Sequence, residues 1–271
     1  MDKHLIHQRF AKSIRSYAEY AQAQSVIASK LCSLLSSVLT EEPGRVLEVG
    51  CGTGTFTRRF LQKFHPDELV LNDICPEVVE TLSDLLASAD TDTASDGGSL
   101  SHTPHVRFVP GDAELCPLPG DRDLIVSCSV MQWFEDPGAF IVRCRTLLRD
   151  GGCLALTTFG PDNLQEIASV TGTGLSYLPL EWLHGLLTDA GLRAVLAEEE
   201  HITLSFPSPS DVLRHLKHTG VTGITRTAWT PGRLARFSDE YRLRFGTPEG
   251  NVTLTYHPIY LIARCPIREH R

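Results

Sequence analysis

The segment Val46-Leu-Glu-Val-Gly-Cys-Gly-Thr-Gly54 constrains this chain more than any other stretch of its sequence. An apolar run short enough to be a buried strand ends on alternate glycines. The chain must turn sharply there, and it presents bare backbone against which a ligand can lie. The spacing is GxGxG, with Thr55 following, whereas the dinucleotide fingerprint GxGxxG needs its third small residue one step later; this argues against NAD(P).

Around that turn the pattern alternates strand and helix. Apolar residues from Phe10 to Leu39 recur at helical steps and stop at Pro43-Gly44. Strands are expected at Val46 to Val49, Leu69 to Asn72, about Val106 to Val109, Leu124 to Cys128 and Cys153 to Phe159. Between them lie helices at Arg58 to Phe64, from Pro76 to about Ala87, and at Pro137 to Leu148. Such βαβ rhythm means an α/β fold with a mainly parallel sheet. Thr91 to Pro104 is rich in Ser, Thr, Asp and Gly and reads as a surface loop inserted in that rhythm. The last third is expected to hold a helix near Pro179 to Ala190, a strand near Arg193 to Leu204, helices near Pro209 to His218 and Pro231 to Arg244, and one alternating strand, Val252 to Ala263, returning to the sheet. The 271 residues thus read as a single domain: a helical cap over 1–40, a ligand-binding core over 41–160 and a helical lid over 205–250.

Charge narrows the partners. A formal net charge of −8 disfavours general nucleic-acid or anionic-membrane binding. Positive charge is nonetheless concentrated from Asp211 to Arg244, where seven Lys/Arg face three acids. No apolar run reaches the roughly 20 residues of a membrane span, and Met1 to Tyr17 lacks a signal-peptide core, so a cytoplasmic location is expected. The eight cysteines are scattered without CxxC pairs, and His4/His7 and His215/His218 have no third clustered ligand; no metal is expected.

Acidic residues complete the glycine turn. Glu48 precedes it, Asp73 closes the second strand about 20 residues beyond it, where a carboxylate can accept ribose hydroxyls, and Asp112-Ala113 comes after the third strand. In this order the residues resemble the class I S-adenosylmethionine-dependent methyltransferases, most strongly over Arg45 to Phe159. The resemblance implies a Rossmann-like, seven-stranded, mainly parallel sheet with helices on both faces and a helical lid. It implies S-adenosylmethionine as cofactor and S-adenosylhomocysteine as product. Gly50, Gly52 and Gly54 would then flank the methionine part, Asp73 the ribose, Ile74, Asp112 and Ala113 the adenine, and Ser129 the sulfonium end, with Glu48 a further cofactor-site residue.

The acceptor is read from the segment just beyond the fourth strand. Ser127-Cys-Ser-Val-Met-Gln-Trp-Phe134 carries neither the Asn/Asp-Pro-Pro-aromatic signature of DNA amine methylation nor the Pro-Cys of cytosine methylation. Four further blocks resemble the malonyl-acyl-carrier-protein O-methyltransferases of biotin synthesis. They are Phe10 to Gln24, Gln132-Trp133, Thr158 to Glu166, and Leu213 to Lys217 together with Thr219-Gly220 and Leu254 to His257. That resemblance implies methylation of the free carboxylate of malonyl-acyl carrier protein, giving the ester that primes pimeloyl and biotin synthesis. A malonyl carboxylate is ionised at neutral pH, so orientation and desolvation matter more than a general base. Arg214 and Lys217, three apart on one helix face, are candidates to orient it, and Tyr17 to close the pocket as a third catalytic candidate. Trp133, Tyr256 and His257 are candidate substrate contacts. The stretch 211–244, with Arg233, Arg236, Arg242 and Arg244, is the expected landing surface for an acidic carrier protein. A small-molecule acceptor on the same fold, such as a quinone precursor or a free carboxylic acid, and a non-catalytic cofactor-binding protein are the competing readings.

Overall fold

The computed structural model describes residues 2–87, 103–220 and 229–267. Most of the expected loop at 91–104, and Arg226 of the basic stretch, lie outside them.

The expected N-terminal helix is two helices, α1 (Lys3–Tyr20) and α2 (Gln22–Val38), because the chain leaves helical geometry at Ala21. Asp2 caps α1 by accepting the Leu5 N–H at 3.0 Å. The βα succession then runs β1 (Arg45–Val49), α3 (Thr55–Leu61), β2 (Glu68–Asp73), a 3-10 turn over Pro76–Leu82 passing into α4 (Ser83–Ala87), β3 (His105–Pro110), β4 (Arg122–Cys128), α5 (Pro137–Leu147) and β5 (Leu148–Phe159). Next come α6 (Gln165–Thr171), which the sequence pattern did not signal, and α7 (Leu180–Asp189).

Among the described residues, strands order themselves β3-β2-β1-β4-β5-β9-β6 in one seven-stranded sheet. The first five are parallel; β9 (Pro258–Arg264) runs antiparallel between β5 and β6 (Arg193–Glu199). Strand alternation sorts the core onto two faces. Val46, Leu69, Leu124 and Ala155 pack on one side with Phe56 and Phe60 of α3 and with α2, while Leu47, Val70, Ile125 and Leu154 pack on the other with Phe140 of α5 and Leu183 of α7.

Two expected strands prove to be four. The run Arg193 to Leu204 divides into β6 and β7 (Ile202–Phe206), and the final run divides into β8 (Val252–Tyr256) and β9. β7 and β8 form a separate two-stranded sheet. The chain changes sheet through Glu200-His201 on one pass and at His257 on the other. Helices α8 (Pro209–His218) and α9 (Pro231–Phe245) cover this small sheet through Val212, Leu216, Phe237 and Tyr241.

Candidate active site

The parallel strands end together at the glycine turn, and a cavity opens there. It is lined by the turn from Glu48 to Thr53, by Asp73 and Ile74, by Asp112 and Ala113, by Cys128 to Val130, and by Trp133 and Phe134. The opposite wall is α1, which contributes Lys3, Ile6, Phe10, Ser13, Ile14 and Tyr17. Helix α1 is fastened across the opening: Lys3 Nζ lies 2.6 Å from Asp112 and also pairs with Glu114, and His7 Nε2 lies 2.9 Å from Glu77. Burial opposes charge on Lys3, but hydrogen bonds and charge from Asp112 and Glu114 hold its pKa above the ordinary value.

The turn's backbone explains its residues. Gly50 has φ +71°, and a Cβ there would stand 2.3 Å from Val130 Cγ2. Gly52 has φ +51°, and a Cβ there would meet no atom within 4 Å. The first glycine lets the turn pack; the second leaves bare backbone beside the cavity. Gly54 begins α3 and, unlike the other two, does not line the cavity. Asp73 fixes the turn by accepting the Gly52 N–H at 2.8 Å on one oxygen and the Cys75 N–H at 2.8 Å on the other. Burial raises its pKa against the lowering effect of those two N–H groups. Glu48 is also buried and accepts the Thr57 hydroxyl at 2.7 Å. Burial pushes its carboxyl up to about 8, with the Thr57 bond opposing and the charge of Asp73 adding to the rise.

A smaller cavity adjoins the first, and Phe10, Tyr17, Gln24, Ser129 and Trp133 border both. Its remaining lining includes Gln132, Asn163, Tyr177, Thr219 and Tyr256, a set of neutral hydroxyl and amide groups. Burial raises the pKa of Tyr17, Tyr177 and Tyr256, keeping each phenol protonated and able to donate. Tyr256 Oη lies 2.8 Å from His215 Nε2, and burial lowers that histidine to about 4, so it is neutral. Gln24 Oε1 is buried between these walls with no hydrogen-bond partner. Ser129 sits at φ +61°, its N–H bonded to Thr157 Oγ1 at 2.8 Å, which aims it at the junction of the cavities.

Three expected site residues are placed elsewhere. Arg214 and Lys217 share a face of α8, as expected, but it is the outer one, because Val212, His215, Leu216 and Thr219 turn the opposite face inward. Arg214 is 58% exposed and pairs with Asp211 at 2.6 Å, and neither it nor Lys217 lines either of these two cavities. His257 is buried away from both cavities, because the change of sheet beginning there turns it from the face that Tyr256 presents. Conversely, Lys3, Asn163 and Tyr177 line the cavities although the sequence pattern does not single them out as contacts; Asn163 lies inside the Thr158 to Glu166 block that carries part of the resemblance.

An S-adenosylmethionine-like group fits these residues on two counts. Gly52 leaves open space beside the cavity, and Asp73, Asp112 and Ala113 all reach the same cavity at the ends of β2 and β3.

Comparison with known proteins gives the class first. Residues 17–221 match the family described as a methyltransferase domain. A Bacillus halodurans protein assigned as a methyltransferase without demonstrated activity in its description shares the fold with a TM-score of 0.61 at 18% identity, covering 88% of this chain and 98% of that one. So does the Burkholderia thailandensis 1,6-didemethyltoxoflavin-N1-methyltransferase, solved with S-adenosylhomocysteine bound (TM-score 0.54, 16% identity, 97% of this chain and 88% of that one). A malonyl-[acyl-carrier protein] O-methyltransferase from Bacteroides helcogenes is 44% identical over 97% of this chain and 99% of its own length. The chain belongs to the malonyl-[acyl-carrier protein] O-methyltransferase family.

Proposed function

We propose that this chain methylates the free carboxylate of a malonyl group carried as a thioester on acyl carrier protein, using S-adenosylmethionine. One observation carries the reading: a glycine-lined cavity and a neutral, donor-rich cavity meet at Tyr17, Ser129 and Trp133. When bound, the cofactor supplies a methyl group on positively charged sulfur. Asp73 would hold the ribose hydroxyls, Ile74, Asp112 and Ala113 the adenine, and the Gly50 to Gly52 turn the methionine part, with Glu48 and Ser129 on either side.

The chain's own task is then alignment and exclusion of water. The carboxylate is ionised at neutral pH and needs no base. Tyr17, Tyr177, Asn163 and Tyr256 would orient it through neutral donors. Such bonds fix an oxygen without drawing charge from it as strongly as a guanidinium does, so the nucleophile keeps its reactivity. Helix α1 closes over both cavities and sheds water from them. The exposed cations of α8 and α9, Arg214, Lys217, Arg236 and Arg242 among them, would receive the acidic carrier, which delivers its thioester arm to the adjoining pocket.

The test is methyl transfer to malonyl-acyl carrier protein with acetyl-acyl carrier protein as the control lacking a carboxylate. A malonyl-dependent methyl ester supports the reading. Cofactor binding with no ester formed would overturn it in favour of a small-molecule acceptor or a non-catalytic binder. Tyr17→Phe and Asn163→Ala are the first variants, each expected to lower kcat by about tenfold or more with cofactor affinity little changed.

A further inference from the structure

Where the chain changes sheet, two histidines face each other. His201, between β6 and β7, stacks on His257, between β8 and β9, with ring centroids 4.3 Å apart. Asp162, in the turn after β5, joins them: its Oδ2 is 3.0 Å from His201 Nε2 and 3.6 Å from His257 Nδ1. None of the three lines either cavity of the active site.

We propose that Asp162, His201 and His257 form a binding site for a divalent first-row ion of the zinc type. Donors 2.0–2.2 Å from a tetrahedral ion stand about 3.3 Å from one another; the two separations made by Asp162 Oδ2 bracket that value, and the three donor atoms all lie within 4.8 Å of one another. Two imidazoles and one carboxylate select zinc, cobalt or nickel over magnesium or calcium, which prefer oxygen alone. The tautomer of His257 is set for it. Its Nδ1 accepts the Asp162 N–H at 3.2 Å, so Nδ1 carries the lone pair and Nε2 the proton. That Nε2 is buried without a hydrogen-bond partner, 3.3 Å from Glu199 Oε2. A metal on Nδ1 takes the place of the long Asp162 N–H contact and polarises the ring. The Nε2 proton then turns to Glu199, the outer carboxylate that histidine ligands commonly use. His201 and Asp162 are each about half exposed, 49% and 52%, giving an ion a way in and water the fourth position.

The role this geometry assigns is a clamp. The ion ties the β5 turn to both sheet crossings, and that turn continues into Asn163, which lines the adjoining pocket and accepts the His257 N–H on Oδ1 at 3.2 Å. The inference does not depend on the identity of the methyl acceptor.

The test is titration of the untagged, chelator-treated full chain with Co2+ followed by visible absorption, and with Zn2+ by calorimetry and thermal melting. One equivalent is expected, with no thiolate-to-cobalt charge-transfer band and a melting temperature raised by Zn2+. His201→Ala and Asp162→Asn, both at exposed positions, are expected to melt like the parent without metal, weaken binding at least tenfold and lose the Zn2+ shift. Binding unchanged in both variants overturns the proposal, as does absence of one-equivalent binding by the parent chain. So does a thiolate band abolished by Cys75→Ser, which would place the ion at His7, Cys75 and Glu77 instead.

Discussion

Gly50 and Gly52 are two residues apart and fail differently when a methyl group is added. Gly50→Ala drives a Cβ into Val130, so it is expected to destabilise the fold by about 3 kcal/mol, read by urea unfolding. Gly52→Ala meets open space and carries only the left-handed backbone cost of about 1–2 kcal/mol, but the methyl group intrudes on the cavity. Calorimetry should therefore find cofactor affinity lost in a protein that still folds. Glu48 gives a pH prediction. Its folded pKa of about 8 lies above the ordinary carboxylate range, so between about 4.5 and about 8 the folded state keeps a proton that the unfolded chain has released. Its contribution to stability therefore declines as pH rises through that window and levels off above it. Glu48→Gln is expected to melt like the parent near pH 4.5. Above about pH 8 it should be the more stable, by roughly 4–5 kcal/mol, in cofactor-free thermal melts. The glycines and acids can be read from the sequence because a backbone turn demands particular residue types at fixed offsets. Arg214 and Lys217 cannot: three-residue spacing shows that two side chains share a face of a helix, and only the packing of Val212 and Leu216 shows which face that is.

Among the elements, α1 depends on few polar ties. Lys3→Ala removes the ties of α1 to Asp112 and Glu114 together and is expected to speed amide exchange along Lys3–Tyr20 at least threefold, with little change in global stability. Opposite α1, the small sheet is joined to α6 by one buried acid. Glu166 accepts both the Thr255 N–H at 3.0 Å and the Thr255 hydroxyl at 2.6 Å. Glu166→Ala orphans both donors and is expected to cost about 2–4 kcal/mol in urea unfolding, whereas Glu166→Gln, able to accept one of them, should cost about half as much. Element types in the first half could be read from period and punctuation. The divisions after Glu199 and at His257 could not, because a strand that changes sheet keeps its β-forming, apolar composition throughout and only its hydrogen-bond partners differ. Helix α6 was hidden for another reason: its start at Leu164 is a positive-φ residue with no side-chain cap, so the usual opening signal is missing.

For the molecule as a whole, net negative charge coexists with a cationic face on α8 and α9. If that face receives an acidic carrier, raising salt from about 50 to about 300 mM should lower kcat/KM for the carrier-bound substrate several-fold, with little effect on a malonyl thioester of a small carrier. The double substitution Arg236→Glu with Arg242→Glu, both exposed, should act like salt and leave the small thioester unaffected. The place of β9 bears on how the protein comes to exist. Because Pro258–Arg264 sit between β5 and β6, a chain emerging from the ribosome can pair β3-β2-β1-β4-β5 while β6 has nothing in that sheet to join. The β5 edge therefore stays bare until Pro258–Arg264 have been made, so a premature stop near residue 250 should release a half-built sheet that chaperones and proteases meet before any methyl donor does.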